Sequence, residues 1–401
     1  MAVSVQSFAA TGVDELCRRL ADAGFPVVET KVQLAGVFPR LVVVSDLPAA
    51  EAVLLAETLT RLGGIALVQS QDSAANCCRK ALLGSTAILQ SLARVKPMAP
   101  PLAAELTRLL VTEPPTEPLT PILLIGRRSI LSLDRPRIMG VLNVTPDSFY
   151  AGSRQVALDD ALRQGVRLAA EGADLIDVGG ESTRPGAAAV DVEAELERVV
   201  PVIERLAREV DCPLSIDTNK SPVAAAAVAA GADFVNDISG LQFDSEMAAA
   251  VSESGAGLFL MHTRGRPRSM QQDTGYGDLL GEIIAYLGAA VDQAVVAGIS
   301  EERLAIDPGI GFAKSAEGNL EILHRLKELH CLGRPLLLGT SRKSFIGSAL
   351  GLENPADRLA GTLATVSLGV AAGAQIFRVH DVKPAREAAL MAWAICQQQM
   401  P

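Results

Sequence analysis

The chain has 401 residues, 49% of them hydrophobic and 20% charged, which is enough apolar material for a large core and enough length for two domains. Its net charge of −10 excludes a protein dedicated to coating nucleic acid, although a local basic site is still allowed. Six cysteines, at 17, 77, 78, 212, 331 and 396, form no CxxC pair, which argues against a zinc framework or disulfide scaffold and for a reducing, cytoplasmic compartment. The opening MAVSVQSFAATGVDELCRRL lacks a basic segment followed by an apolar core, so no signal peptide is expected. No window of about 18 uninterrupted apolar residues suggests a membrane span.

Residues 1–130 read as a small α+β accessory domain without an assignable role. Strands are predicted at Val27–Val32, Arg40–Ser45 and Ile65–Gln69, and again at KALLGS (80–85). Helical periodicity covers Ala49–Leu62, closed by Gly63-Gly64, and returns in TAILQSLARV (86–95). This part carries no nucleotide loop and no metal-ligand spacing. The proline-rich Val111–Pro121 reads as a linker, and Ile122–Asp134 as a short hairpin leading into a second domain, 131–401.

Strand and helix patterns then alternate eight times. The predicted strands are Ile138–Val144, Leu175–Gly179, Leu214–Thr218, Phe234–Ile238, Leu258–His262, Leu304–Asp307, Pro335–Thr340 and Ile376–His380. Helices are predicted at Ala157–Glu171, Val192–Val210, Pro222–Ala230, Leu279–Ala297, Asn319–Leu329, Ala356–Ala372 and Pro384–Gln397. Gly172, Gly231 and Gly373 are placed to end helices. The strands are apolar runs without polar alternation, as in a parallel sheet covered on both faces. Eight such units in about 265 residues suit a (β/α)8 TIM barrel. An open doubly wound sheet is the weaker alternative, since no GxGxxG follows the first strand.

In a barrel the carboxyl ends of the strands meet at one mouth. Here they carry Asn143, Gly179–Arg184, Asp217, Asn236-Asp237, His262, Asp307, Ser341–Ser344, and Arg378 with His380. Any one of these has a bland reading as a cap or a satisfied core group, but polar ends on all eight strands point to one site. Two zones are expected. Asp217, Asn236, Asp307 and Lys343 combine acceptors and donors suited to a flat, nitrogen-rich heterocycle, with the two carboxylates accepting and Asn236 and Lys343 donating. Arg378 and His380 on the eighth strand, beside Asn143 on the first, suit a phosphate group and a magnesium ion. The Gly/Pro-rich loop Gly179–Gly186 reads as a lid.

The motifs MGVLNVTPDSF (139–149), GADLIDVGGESTRPGA (172–187), SIDT (215–218), VNDISG (235–240) and LMHTRG (260–265) occur in unbroken order. They are followed by DPGIGFAK (307–314), GTSRKSFIG (339–347), RLAGTLA (358–364) and RVHD (378–381). Together they resemble the dihydropteroate synthases, over residues 137–400. The resemblance implies a transferase of folate biosynthesis that joins 6-hydroxymethyl-7,8-dihydropterin diphosphate to p-aminobenzoate and releases pyrophosphate. It implies that Asp217, Asn236, Asp307, Gly339 and Lys343 hold the pterin, with Asp217, Asp307 and Lys343 acting in the reaction. By the same likeness Asn143, Arg378 and His380 bind pyrophosphate, Asn143 also binding Mg2+. Phe149, Thr183, Arg184, Pro185, Phe312, Ser341 and Ser344 would then shape the p-aminobenzoate pocket, which is also the sulfonamide site. The likeness further implies a homodimer through the last barrel helices, with no nucleic-acid or membrane partner. The sequence departs from the family pattern after TPDSF, where Ala151 stands in place of an acidic residue that helps organise the lid and metal. A corrinoid-dependent pterin methyltransferase and a non-catalytic pterin-binding barrel are the alternatives. The former handles neither pyrophosphate nor p-aminobenzoate and does not need STRPG, SRKS and RVHD together.

Overall fold

The computed structural model describes residues 39–63, 65–70, 77–85, 88, 91–92, 123–144, 154–182, 186–187 and 190–400. The chain divides into two compact units, Met1–Leu119 and Thr120–Pro401. In the first, β1 (Pro39–Pro48), β2 (Ile65–Ser70) and β3 (Cys77–Ser85) form an antiparallel sheet in the order β1-β3-β2. Helix α1 (Ala49–Arg61) buries Leu55, Thr58 and Leu59, which its 3.6-residue period places on one face. The α+β reading therefore stands for the described part. The strand expected at 27–32, most of the helix expected at 86–95 and the proline-rich stretch lie outside the described residues.

The unit boundary falls earlier than the 130/131 junction expected from sequence. The reason is the hairpin β4 (Leu123–Ile125) and β5 (Ile130–Ser132), in which Leu124 lies opposite Leu131. Leu124, Leu131 and Leu133 cluster with Met139, Leu175, Phe234, Phe259, Ala305, Leu337 and Ile376 from the barrel strands, so the hairpin plugs the barrel's amino-terminal end.

Eight parallel strands follow: β6 (Arg137–Asn143), β7 (Leu175–Gly179), β8 (Leu214–Asp217), β9 (Phe234–Asp237), β10 (Gly257–Met261), β11 (Leu304–Asp307), β12 (Leu337–Leu338) and β13 (Ile376–Val379). They run in the order β11-β10-β9-β8-β7-β6-β13-β12, and a parallel bridge between Ile306 and Leu336 closes the circle. The covering helices are α2 (Arg154–Ala170), α3 (Val192–Glu209), α4 (Ser221–Ala230), α5 (Met247–Ser254), α6 (Leu279–Val296), α7 (Ala316–His324), α8 (Ser344–Leu350), α9 (Leu359–Ala371) and α10 (Val382–Gln397). The (β/α)8 expectation is met. The helix expected over 319–329 instead ends at His324 and continues as a 3-10 segment, Leu326–Leu332, and the short α5 and α8 were not anticipated. Gly172, Gly231 and Gly373 do adopt the positive φ of helix ends, at 95°, 133° and 92°.

Helix α6 has the length and apolar composition of a membrane span. Its stripe of Leu280, Ile283, Leu287, Ala290 and Ala294 is nevertheless buried against the barrel.

Strand pleating sorts the side chains. Ile138, Leu142, Ile176, Val178, Leu214, Ile216, Val235, Leu258, Leu260, Leu304, Ile306, Leu338, Phe377 and Val379 pack outward against the helices. Their alternates face the lumen. Apolar residues from Met139 to Ile376 fill its lower end. One step further along the same inward registers come Asp177, Asp217, Asn236, Asp307 and Arg378, all near the carboxyl ends of the strands.

Candidate active site

Arg378 is the hub of this polar layer. Its Nε donates to Asp177 Oδ2 at 2.6 Å and its Nη2 to Asp217 Oδ2 at 2.5 Å. Asn236 Nδ2 donates to the same Asp177 oxygen at 3.0 Å. Asp177 and Asp217 are 0% and 5% exposed, so this is a buried, charge-assisted network rather than a surface pair. Burial pushes Asp217 up to about 7; Arg378 opposes the rise, while Asp177, Glu195 and Asp237 add to it. Burial also works against the charge on Arg378, but Asp177 and Asp217 more than offset it and hold the guanidinium protonated. The second oxygens of Asp177 and Asp217 have no hydrogen-bond partner among the described residues.

Arg378, expected in the anion zone, is thus tied directly to Asp217 and through Asp177 to Asn236, both expected in the heterocycle zone. Asp177 is the member that sequence reasoning missed. The signal was present: it sits two residues before Gly179, on the same face of β7.

Across the mouth, Asp307 accepts from the Gly309 amide at 2.7 Å. Burial raises its pKa, with Lys343 the main opposing influence. Burial likewise pushes Lys343 down to about 8, with Asp307 holding it up. The Lys343 ammonium donates to the Ile310 carbonyl and lies 4.5 Å from the centre of the Phe312 ring. Gly339 forms open wall between the two halves: a Cβ there would stand 3.8 Å from Arg378 Cβ and 3.9 Å from Asp307 Oδ2.

The loop from β11 to α7 carries Phe312 and is pinned at four consecutive carbonyls. Ile310 accepts from Lys343, Gly311 from Gln271 at 2.9 Å, Phe312 from Lys314 at 2.9 Å, and Ala313 from the Tyr276 hydroxyl at 3.0 Å. Gly309 opens this turn with φ 69°, and a Cβ there would collide with the His262 carbonyl, so only glycine fits. Buried Lys314 also reaches His262 Nδ1 at 2.9 Å. Burial, reinforced by Lys314 and Arg264, keeps His262 neutral, down at about 2.

At the rim, Ser341 Oγ lies 3.0 Å from His380 Nδ1 and accepts from the His380 amide at 3.2 Å. Ser344 is exposed at the first turn of α8, and Asn143 is exposed at the end of β6. Phe149, Ala151, Thr183, Arg184 and Pro185 lie outside the described residues. Two polar strand ends do not face the lumen. Asp237 turns outward and caps its own loop through the Ser239 and Leu241 amides, at 2.8 and 2.7 Å, while His262 packs edge-on against Tyr286. A further cluster joins Lys220 to Glu181 and the buried Glu195, tying the root of the β7–α3 loop to α3.

Residues 139–380 match the family described as "Pterin binding enzyme". The chain is 49% identical over 249 residues to the dihydropteroate synthase of Synechocystis sp., covering 62% of this chain and 86% of that one. It is 43% identical over 265 residues to the dihydropteroate synthase of Escherichia coli, covering 66% and 93%. Among solved structures, the Xanthomonas albilineans dihydropteroate synthase with 4-aminobenzoic acid superposes with a TM-score of 0.66 at 45% identity, covering 70% of this chain and all of that one. The Yersinia pestis dihydropteroate synthase in complex with a sulfonamide drug gives 0.65 at 44% identity, covering 69% and 99%.

Proposed function

The chain belongs to the dihydropteroate synthase family of pterin-binding enzymes and is a transferase of folate biosynthesis; from that premise we propose how its barrel mouth carries the reaction. The enzyme condenses 6-hydroxymethyl-7,8-dihydropterin diphosphate with p-aminobenzoate to give 7,8-dihydropteroate and pyrophosphate. The C–O bond to the diphosphate breaks, a C–N bond forms to the arylamine nitrogen, and that nitrogen loses a proton. No side-chain nucleophile is required, so the work reduces to positioning and charge stabilisation.

The observation that carries the reading is the buried cluster of Asp177, Asp217, Asn236 and Arg378 facing Asp307 and Lys343 across one lumen. In our reading Asp217, Asn236, Asp307 and Lys343 hold the pterin over the gap at Gly339. The carboxylates of Asp217 and Asp307 favour positive charge on the pterin as the diphosphate departs. Arg378 and His380 meet the diphosphate, and Phe312, Ser341 and Ser344, with Phe149, Thr183, Arg184 and Pro185, surround the aminobenzoate. Sulfonamides are expected in that same pocket, a view supported by the drug-bound Yersinia pestis relative.

Mg2+ fits the donor set. Asn143 offers a hard oxygen at the exposed rim, and no cluster of three His, Cys, Asp or Glu side chains suited to an all-protein site occurs among the described residues. Magnesium commonly takes few protein ligands and fills its shell with phosphate oxygens and water. Bound there, it would neutralise charge on the leaving group. A cytoplasmic homodimer is also our reading. Its support is the exposed Leu368, Met391 and Ile395 on α9 and α10, at 68%, 61% and 65%, a poor surface to leave in water.

The test is pyrophosphate release from purified protein given the pterin diphosphate, Mg2+ and p-aminobenzoate. Release that depends on the arylamine, with dihydropteroate formed in equal amount, is expected. No release under these conditions overturns the reading.

A further inference from the structure

Asp177 is wholly buried in the lumen, and in the role assignment above it touches neither substrate. Yet one of its oxygens receives both Arg378 Nε and Asn236 Nδ2. A carboxylate only accepts, so the Asn236 amide must turn its NH2 group toward Asp177 and its carbonyl oxygen away. The reverse orientation would set two acceptor oxygens against each other in a buried site. The sequence alone suggested that Asn236 donates to the heterocycle. The network turns its carbonyl oxygen away from Asp177 as an acceptor and leaves the second Nδ2 hydrogen as the remaining donor.

We propose that Asp177 is a positioning residue that sets the hydrogen-bonding polarity of the pterin pocket: it orients Asn236 Oδ1 as an acceptor for an N–H edge of the heterocycle and holds the Arg378 guanidinium against Asp217. This rests on the pterin reading of the pocket given above. It assigns a task to a group that a plain charge partner of Arg378 would not perform.

Asp177→Asn is nearly isosteric but turns the carboxylate oxygen shared by Arg378 and Asn236 into a neutral amide oxygen, so both are held less firmly. The dissociation constant of the pterin diphosphate, measured without arylamine, should rise about ten- to a hundredfold, with the KM for p-aminobenzoate at saturating pterin moving by less than about twofold. A second readout is the acid limb of pterin binding. Asp217 feels Asp177 from β7, Arg378 from β13, Glu195 from α3, Lys343 from across the mouth and, through β9, the outward-turned Asp237. Removing the Asp177 charge takes away a like-charged neighbour, so the limb should move to lower pH. A pterin affinity unchanged within about twofold, or a limb that stays put, overturns the proposal.

Asn236→Asp gives an independent check should Asp177→Asn fail to fold. A protonated carboxyl at position 236 can donate to Asp177 and still offer an acceptor to the ligand. Its pterin affinity relative to the parent should therefore recover as pH falls. If the ligand instead needs a donor from position 236, no recovery occurs and the polarity assignment is wrong. Asn236→Ala and Asp217→Asn separate the two failures. If neither changes pterin affinity, the pocket reading fails and the proposal falls with it. If both do while Asp177→Asn does not, the positioning role alone is refuted.

Discussion

Replacing Arg378 by methionine keeps an unbranched stem of similar length but removes the charge that two buried carboxylates share. Asp177 and Asp217 are 0% and 5% exposed and are held at 2.6 and 2.5 Å by that one guanidinium. Deleting one partner of a buried ion pair typically costs about 3–5 kcal/mol, and that loss is expected for the barrel at pH 8. It should shrink toward pH 5. Without Arg378 the folded variant must protonate at least one of the carboxylates, so its folded pKa lies above the unfolded value of about 4. Stability linked to such a group is fully present below the unfolded pKa and is lost as pH rises through the folded one. Asp217 already stands near 7 with the guanidinium beside it, so the variant's sensitive window extends above that. Urea unfolding of parent and variant, followed by far-UV circular dichroism at both pH values, gives the two differences. Equal losses at pH 5 and 8, or a loss below about 1 kcal/mol at pH 8, would show that the carboxylates do not depend on Arg378. A ligand arm sharpens the test. If Arg378 served only the diphosphate, binding of the bare 6-hydroxymethyl pterin would be untouched, whereas the shared network requires it to weaken as well.

Turnover should fall on both sides of a narrow optimum, as Asp217 gains a proton below about 7 and Lys343 loses one above about 8. Lys343→Arg should move the alkaline limb upward in a kcat/KM profile, and an unmoved limb would exclude Lys343 as its source. Asn143→Ala should raise the Mg2+ concentration needed for half-maximal pyrophosphate release without lowering the melting temperature; an unchanged Mg2+ titration would remove Asn143 from the metal site. Gly257→Ala tests the plug, because its Cβ would press on the Phe234 ring and lie 2.8 Å from the Ile125 carbonyl. A cost of about 1–3 kcal/mol in chemical unfolding is expected from that overpacking, and none would mean that the hairpin yields freely.

Most of the barrel could be read from the sequence because its strands are continuous apolar runs and several of its helices end in glycines, such as Gly172, Gly231 and Gly373. The strand-end rule also located the mouth, but it treated adjacent residues as equivalent. The pleat separates them. Asn236 faces the lumen, while Asp237, next in the chain, caps an outer turn through the Ser239 and Leu241 amides. The same alternation, counted back two from Gly179, points to Asp177, so a period-2 reading of LIDVG would have found it. Lys314 offered no such signal. It belongs to an irregular loop whose shape is fixed by contacts with His262, Gln271, Tyr276 and Lys343 from other parts of the chain, and local periodicity carries no trace of those. Similarly, the apolar run from Pro335 to Thr340 suggested a full strand, but only Leu337 and Leu338 pair regularly, with Leu336 held to β11 by a single bridge.

Arg378 ends the eighth strand, next to the first, where a phosphate is expected. β13 does pair with β6, and the length of the arginine adds further partners. The side chain passes β6 to meet carboxylates on β7 and β8, which a flat guanidinium can satisfy with two separate N–H groups and a lysine ammonium on a shorter-reaching point charge would satisfy less well. This has a consequence for how the diphosphate is held. Among the described residues, Asp177, Asp217 and Asp307 face Arg378 and Lys343 as strongly basic partners in this layer, while burial holds Lys314 well below the usual ammonium range and its ammonium is engaged with His262 and the Phe312 carbonyl. Three carboxylates against two cations leave no surplus positive charge deep in the lumen when all are ionised. In our reading the hold of Arg378 on a diphosphate is therefore supported from the rim, where His380 and Asn143 stand, and a divalent ion there would supply charge that the layer beneath lacks.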